Sequence, residues 1–359
     1  MQTAHRINEL RKAIEAEKLD ALLVSSVPNV SYLSGFTGDD SLALISPGRQ
    51  HIVTDFRYAE QVEQQCPGWQ LVVRKDDLWS AVSSEIEGNG VGRLGFESVH
   101  LSHRNHGRLA AAVEGVELVP LTGTVEKLRE IKDAEEVEKI QAAVRCQEAA
   151  FNEVKAWLEP GVTEKEVARE IDDRMRRHGA ERFAFETVVA AGERASLPHA
   201  QATERVVAKE DTLLIDWGAR RFFYNSDLTR VLCLGSVNSK FERIYETVRH
   251  AQERALAVIR PGVRFSEVDE AARGYIRERG YGERFGHALG HGVGLEVHES
   301  PLVREKNEER LVPGMVFTVE PGIYIPGWGG VRIEDMVLVT ARGVQVLSTC
   351  DKDLDKLTL

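Results

Sequence analysis

The segment Leu158-Glu-Pro-Gly-Val162, followed by Glu166-Val167, Arg176 and Glu181-Arg182-Phe183, returns 101–102 residues later as Ile259-Arg-Pro-Gly-Val263, Glu267-Val268, Arg277 and Glu283-Arg284-Phe285. In both copies a long helical pattern ends at Pro-Gly, where proline stops the helix and glycine relaxes the turn. The first of these helices is expected from about Ala134 to Trp157. A second amphipathic helix follows each Pro-Gly, and strand-like segments come after it. They are Glu186–Ala191, Thr212–Trp217 and Phe222–Cys233 in the first copy, and Met315–Glu320 and Val331–Thr340 in the second. The period is too long and the copies too few for a solenoid. The repeat predicts two α+β halves related by a pseudo-two-fold axis.

Upstream, the chain alternates helices and strands in the manner of a separate α/β domain. A helix over about Thr3–Glu17 leads to Ala21–Ser25, Leu42–Ile45 and Ile52–Thr54. A helix near Arg57–Gln65 then precedes Gln70–Val73, Arg93–Phe96 and Glu117–Pro120. The polar stretch Leu121–Asp133 places the boundary at about 125–132, giving domains 1–125 and 126–359.

The 359 residues are 42% hydrophobic and 29% charged, which excludes collagen-like, coiled-coil and largely disordered classes. Lys and Arg number 46 against 57 Asp and Glu, a net charge of −11 that counts against a nucleic-acid partner. No run of about 18 apolar residues suggests a membrane span. The first twenty residues form a charged amphipathic pattern rather than a signal peptide. Cys66, Cys146, Cys233 and Cys350 are far apart and form no CxxC pair, so a reducing cytoplasm is expected.

The chemistry is expected at the carboxylates. Asp216 and Asp227 flank Trp217–Ser226 in the first half, and Glu320 and Glu334 flank Pro321–Ile333 in the second. If each segment is a hairpin, turning near Arg221–Phe222 and near Gly327, the two acids of each pair face each other across paired strands. Four converging carboxylates repel unless their pKa values rise or metals neutralise them, and four charges match two divalent cations. Asp216 ends the apolar run Leu213-Leu214-Ile215, and Glu320 follows Met315–Val319, places where a bare surface acid is not expected. His287, His291 and His298 lie within twelve residues, amid Gly290, Gly292 and Gly294. The glycines make a zincin helix improbable and suit a close approach of backbone to a crowded site. His199, after Leu197-Pro198, is a further candidate.

With these residues placed, the C-terminal part resembles the pita-bread metallopeptidases, specifically the Xaa-Pro aminopeptidase and prolidase group. The matching stretches are IDWGARRFFYNSDLTR, FETVVAAGERASLPHA, HALGHGVGLEVHE, GMVFTVEPGIYIPG and GGVRIEDMVLVT. The N-terminal stretches NVSYLSGFTGDDSLALI and TDFRYAEQ resemble a creatinase-type N-terminal domain. The resemblance implies Asp216, Asp227, His291, Glu320 and Glu334 as ligands of a dinuclear centre, His199, His287 and His298 as active-site histidines, and Arg332 as an arginine supporting the ligands. It further implies that Asp227 and Glu334 bridge two ions that activate a water, that Glu320 shuttles its proton, and that His298 and His199 stabilise the oxyanion. The oxygen-rich ligand set favours Mn2+, with Co2+ or Zn2+ as alternatives. A homodimer acting on proline-containing peptides is also implied. Leu302 stands where some dipeptidases of the group carry an arginine, and Arg304 lies two residues on. The expected activity is therefore that of an Xaa-Pro aminopeptidase, with an Xaa-Pro dipeptidase as the alternative and a non-catalytic binding protein as a third reading.

Overall fold

The computed structural model describes residues 2–359, which divide into two units, one ending at Arg129 and one spanning Glu130–Leu359. The first unit runs α1 (Gln2–Ala16), β1 (Ala21–Val24), α2 (Val27–Ser34), β2 (Leu42–Ile45), β3 (Gln50–Thr54), α3 (Ala59–Gln65), β4 (Gln70–Val73), α4 (Leu78–Gly88), β5 (Arg93–Glu97), α5 (His103–Ala112), β6 (Glu117–Leu121) and α6 (Thr124–Glu130). Its strands form one mixed sheet in the order β4-β3-β2-β1-β5-β6. Every residue of β1 and β2 is buried, as in strands covered on both faces. The expected strands are all present. The sequence reading did not single out α2, α4, α5 or α6. Asp77 caps α4 by accepting from the amides of Trp79 and Ser80, and the helix buries Trp79, Val82 and Ile86 along one face. The polar stretch after Leu121 is largely the helix α6, which buries Val125 and Arg129.

The second unit opens with α7 (Ala134–Trp157) and α8 (Glu164–Arg177). Then come β7 (Arg182–Phe183), β8 (Val188–Ala191), β9 (Thr212–Trp217), β10 (Ala219–Arg221), β11 (Tyr224–Asn225) and β12 (Leu228–Cys233). The second half repeats the plan with α9 (Ser239–Val258), α10 (Phe265–Glu278), β13 (Gly290–Gly292), β14 (Glu299–Val303), β15 (Val316–Val319), β16 (Gly322–Ile325), β17 (Gly329–Arg332), β18 (Asp335–Thr340) and β19 (Gly343–Val346), before α11 (Leu354–Leu357). Capping boxes start α7 (Asp133 with Glu136) and α8 (Thr163 with Glu166), and α7 and α9 both end just before Pro-Gly. Sheets β12-β9-β8 and β14-β13-β15-β18-β19 are the counterparts in the two halves, and β10–β11 and β16–β17 are the hairpins they carry.

The two halves share backbone ties. The amides of Glu164 and Lys165 at the start of α8 donate to the carbonyls of Arg205 and Thr203 (3.0 and 3.1 Å). Those of Phe265 and Ser266 at the start of α10 donate to Glu309 and Asn307 (3.0 and 2.8 Å). One apolar core runs through both halves, with Phe151 stacked on Trp217 at 4.6 Å and Phe265 edge-on to Phe317 at 5.7 Å. No helix among the described residues is long and apolar enough to cross a membrane.

Candidate metal centre and cleft

Asp216, on β9, has Thr229 of β12 as its register partner. Asp227, two residues before Thr229, therefore lies diagonally across on the same face rather than directly opposite. The expected register is corrected because the hairpin turns at Phe222–Phe223, one residue later than Arg221–Phe222, with both residues at positive φ (52° and 68°). The second hairpin turns at Gly327 as expected, since Ile325 pairs with Gly329. Continuing the registers Val319↔Asp335 and Gly322↔Arg332 puts Glu320 opposite Glu334. Two segments expected as continuous strands break at the acids, one between β11 and β12 at Ser226-Asp227 and one between β17 and β18 at Ile333-Glu334. Both breaks are buried, Ser226 and Asp227 in the first half and Ile333 and Glu334 in the second.

His291 reaches the acids from β13. Its neighbours explain the glycines, for a Cβ at Gly290 would collide with the Thr318 carbonyl and one at Gly292 with that of Ser300. The Nδ1 of His291 lies 3.1 Å from the Gly292 carbonyl, which can only accept, so Nδ1 carries the proton. Nε2 keeps its lone pair and faces Glu320 Oε1 at 3.3 Å and Asp227 Oδ2 at 3.6 Å. Burial holds the imidazole pKa below its ordinary value, in keeping with a neutral ring.

The electrostatics leave the acids in need of positive charge. Burial, and then the charges of Glu334, Asp216 and Glu320, push the carboxyl of Asp227 well above the usual carboxylate range. Glu334 is pushed well up by burial and by Glu320 and Asp216, and Glu320 is raised chiefly by burial. Arg332 supplies one counter-charge, donating to Asp216 Oδ2 (2.5 Å), Thr229 Oγ1 (2.9 Å), Tyr324 Oη (2.9 Å) and the Pro198 carbonyl (3.2 Å). Asp216 Oδ1 and Glu334 Oε1 remain buried without a hydrogen-bond partner. Such oxygens are costly unless something pairs with them. Asp227, His291 and Glu334 present ligand atoms all within 4.8 Å of one another. Orphaned carboxylate oxygens beside an imidazole lone pair fit hard or borderline divalent cations.

The acids and His291 line a cleft of about 1050 Å3, together with His199, His287, His298, Leu302 and Arg332. Burial and then the neighbouring His291 pull the imidazole of His298 down to about 4, so it is neutral at pH 7. The ring centroids of His298 and His291 are 4.1 Å apart. His287 donates from Nδ1 to the Ala288 carbonyl (2.8 Å), which leaves Nε2 to accept from Tyr324 Oη (3.1 Å). Leu302 is 42% exposed and is the register partner of His291. Arg304 is exposed and does not line the cleft.

The sequence reading missed Tyr324, which joins His287 to Arg332, and Thr229, which donates to Glu334 Oε2 at 2.7 Å. It also missed Thr318, which donates to Glu320 Oε1 at 2.9 Å and accepts from the His291 amide at 3.1 Å. The placement of Thr229 and Tyr324, two and four residues after Asp227 and Glu320, was the available signal.

Two pseudo-symmetric halves closing over buried acids and histidines define a pita-bread metallopeptidase. Residues 138–341 match metallopeptidase family M24 and residues 6–131 match the creatinase/prolidase N-terminal domain. The chain belongs to metallopeptidase family M24. It is 35% identical to an Xaa-Pro dipeptidase of Pyrococcus horikoshii over 97% of this chain and 98% of that one. Among solved structures it resembles an Xaa-Pro dipeptidase from Bacillus anthracis, with a TM-score of 0.97 and 39% identity, covering 99% of this chain and 100% of that one. It also resembles an X-Pro aminopeptidase from Thermotoga maritima, with a TM-score of 0.90 and 36% identity, covering 97% of this chain and 100% of that one.

Proposed function

We propose that this metallopeptidase is an Xaa-Pro dipeptidase in which Asp216, Asp227, His291, Glu320 and Glu334 hold two divalent cations. The observation that carries the reading is the buried acid cluster with two unbonded carboxylate oxygens and a free imidazole lone pair in the cleft. The dipeptidase assignment replaces the aminopeptidase expected from the sequence, and the Xaa-Pro dipeptidases of Pyrococcus horikoshii and Bacillus anthracis support it. Residues 126–359 are the catalytic part in this reading, and residues 1–125 an accessory part. The hard donor set supports Mn2+, and the unpaired cysteines support a reducing, cytoplasmic setting. A homodimer is part of the same reading, on the strength of the family resemblance.

When bound, the two ions would supply the positive charge that brings the pKa of a water towards neutrality. The protein's own groups do the rest. Glu320 Oε1 accepts from Thr318, leaving Oε2 to hold a proton and deliver it to the departing proline nitrogen. His298, neutral and close to His291, and His199, which lines the same cleft, donate to the substrate carbonyl as its oxygen gains charge. Arg332 orients Asp216, and Tyr324 holds His287 in one tautomer.

A second reading, Xaa-Pro aminopeptidase, is favoured by apolar Leu302 beside His291 and by Arg304 lying outside the cleft, where it offers no clamp for a C-terminal carboxylate. Kinetics on matched Xaa-Pro dipeptides and Xaa-Pro-Yaa tripeptides with Mn2+ decide between them. Higher kcat/KM on dipeptides is expected. Preference for tripeptides transfers the assignment to an aminopeptidase, and hydrolysis of neither overturns both.

A further inference from the structure

His199 sits on the long connection between β8 and β9, and one buried side chain of α8 grips both ends of its part of that connection. Glu164, the first residue of α8, is wholly buried. Its carboxylate accepts from the amide of Ala191 (2.9 Å) where the connection begins, and from the amide and Oγ1 of Thr203 (2.9 and 2.7 Å) four residues past His199. It also accepts from Nε of Arg194 (3.0 Å), whose NH2 donates to the Gln201 carbonyl (2.7 Å). The helix start holds the same place through its backbone, with Lys165 N donating to the Thr203 carbonyl at 3.1 Å. Between these anchors, the Pro198 carbonyl accepts from Arg332, which also binds Asp216. The segment carrying His199 is thus tied at its start and end by Glu164, directly or through Arg194, and in its middle by Arg332.

The other half shows that the scaffold does not require an acid here. The equivalent first residue of α10 is Phe265, a core side chain packed edge-on to Phe317. A buried carboxylate is costly unless its bonds are filled, and Glu164 fills them with groups of the His199 segment.

We propose that Glu164 is a positioning residue for His199, fixing the histidine's place on the cleft wall. The inference rests on the peptidase reading only for its consequence in turnover. A 1 Å misplacement of such a group can cost about 10²-fold in rate.

The test compares Glu164→Gln, His199→Ala and the double variant, each loaded with Mn2+ and assayed on an Xaa-Pro peptide that the unaltered protein cleaves. Glu164→Gln preserves the side chain's size but presents an NH2 where an oxygen now accepts. A fall in kcat of about 10²-fold is expected, with KM little changed, metal content retained and the double variant no slower than His199→Ala. Losses that add in the double variant, or full turnover in Glu164→Gln, overturn the proposal. Thr203→Val removes one donor to the carboxylate and serves the same cycle if Glu164→Gln does not fold; it should lower kcat in the same non-additive way. The ring resonance of His199 in histidine-labelled, Zn2+-loaded protein gives a readout independent of activity. It should move in Glu164→Gln while that of His298 stays, and an unmoved His199 signal sinks the idea. Should the unaltered protein cleave no Xaa-Pro peptide, the proposed function fails while this spectrum still decides the clamp.

Discussion

The two halves of the second unit share a backbone plan and differ in what hangs from it. Gly161 N donates to Val207 O and Gly262 N to Leu311 O, both at 2.9 Å, so each Pro-Gly turn is stitched to the same distant strand-like segment of its own half. The side chains then part ways. Glu164 occupies the place of Phe265, and Asp172 that of Arg273. Asp172 accepts from Thr187 Oγ1 at 2.7 Å, whereas Arg273 donates to the carbonyls of Phe285 and His287 at 2.9 and 2.8 Å. Main-chain bonds repeat because they build the fold. Side chains are free to specialise, and of Glu164, Phe265, Asp172 and Arg273 only Asp172 lines the cleft, the others acting from behind it.

The strongest way to break this comparison is at the two acids that occupy equivalent strand breaks. Asp227→Asn and Glu334→Gln are each expected to abolish cation binding and peptidase turnover, because each removes one charge from a cluster that already lacks bonds. Metal content of the purified variants checks this, and normal stoichiometry with normal turnover in either one removes it from the ligand set. Next in size, Phe265→Ala should lower stability by about 3–5 kcal/mol in chemical denaturation, the cost of an emptied aromatic core site. His298→Ala should keep both cations while kcat falls about 10²–10³-fold, the usual loss of one oxyanion donor. Metal content falling in parallel would make His298 a ligand or scaffold residue instead.

A smaller effect separates Asp172 from its counterpart Arg273. Burial, and then the charge of Glu186, lifts the Asp172 carboxyl to about 6 against the opposing bond from Thr187. The native state therefore holds a proton that the unfolded chain, with a pKa near 3.9, has released. Stability from this group falls as pH rises between about 4 and 6, and the deficit persists above that window. Asp172→Asn should stabilise the chain at pH 8 by on the order of 1 kcal/mol, discounted for partial exposure, and little at pH 4. Urea titrations at the two pH values measure it, and an equal effect at both removes the carboxyl as the cause. The smallest expected effect is at Arg304→Ala, which should leave the dipeptide-to-tripeptide preference unchanged because its side chain lies outside the cleft.

The repeat was legible because Pro-Gly and Glu-Val stand at matched offsets, and the acids were legible because they close apolar runs. The register of the first hairpin was not. Alternation alone cannot distinguish a turn at Arg221–Phe222 from one at Phe222–Phe223, and two phenylalanines at positive φ follow no turn preference. The strand breaks at Asp227 and Glu334 were hidden for a related reason, since apolar neighbours on both sides read as one strand. Glu164 stood in plain view as the residue after a capping threonine, where an acid is ordinary. Its bonds to Ala191, Arg194 and Thr203 distinguish it. Arg304 is two residues beyond Leu302 in sequence, yet only Leu302 lines the cleft.

Thr229, from the first half, donates its hydroxyl to the Glu334 carboxylate at 2.7 Å, and the Glu334 amide donates to the Thr229 carbonyl at 3.2 Å. Each half thus completes a piece of the other's site, and on the proposed ligand set neither half alone presents four acids and an imidazole. On that set the full cation site would form only once the halves have docked. By mass action, an ion at a hundred times its dissociation constant would favour the docked halves by about 2.7 kcal/mol. Cation supply would then favour assembly, because the second half alone offers only His291, Glu320 and Glu334 of the proposed set.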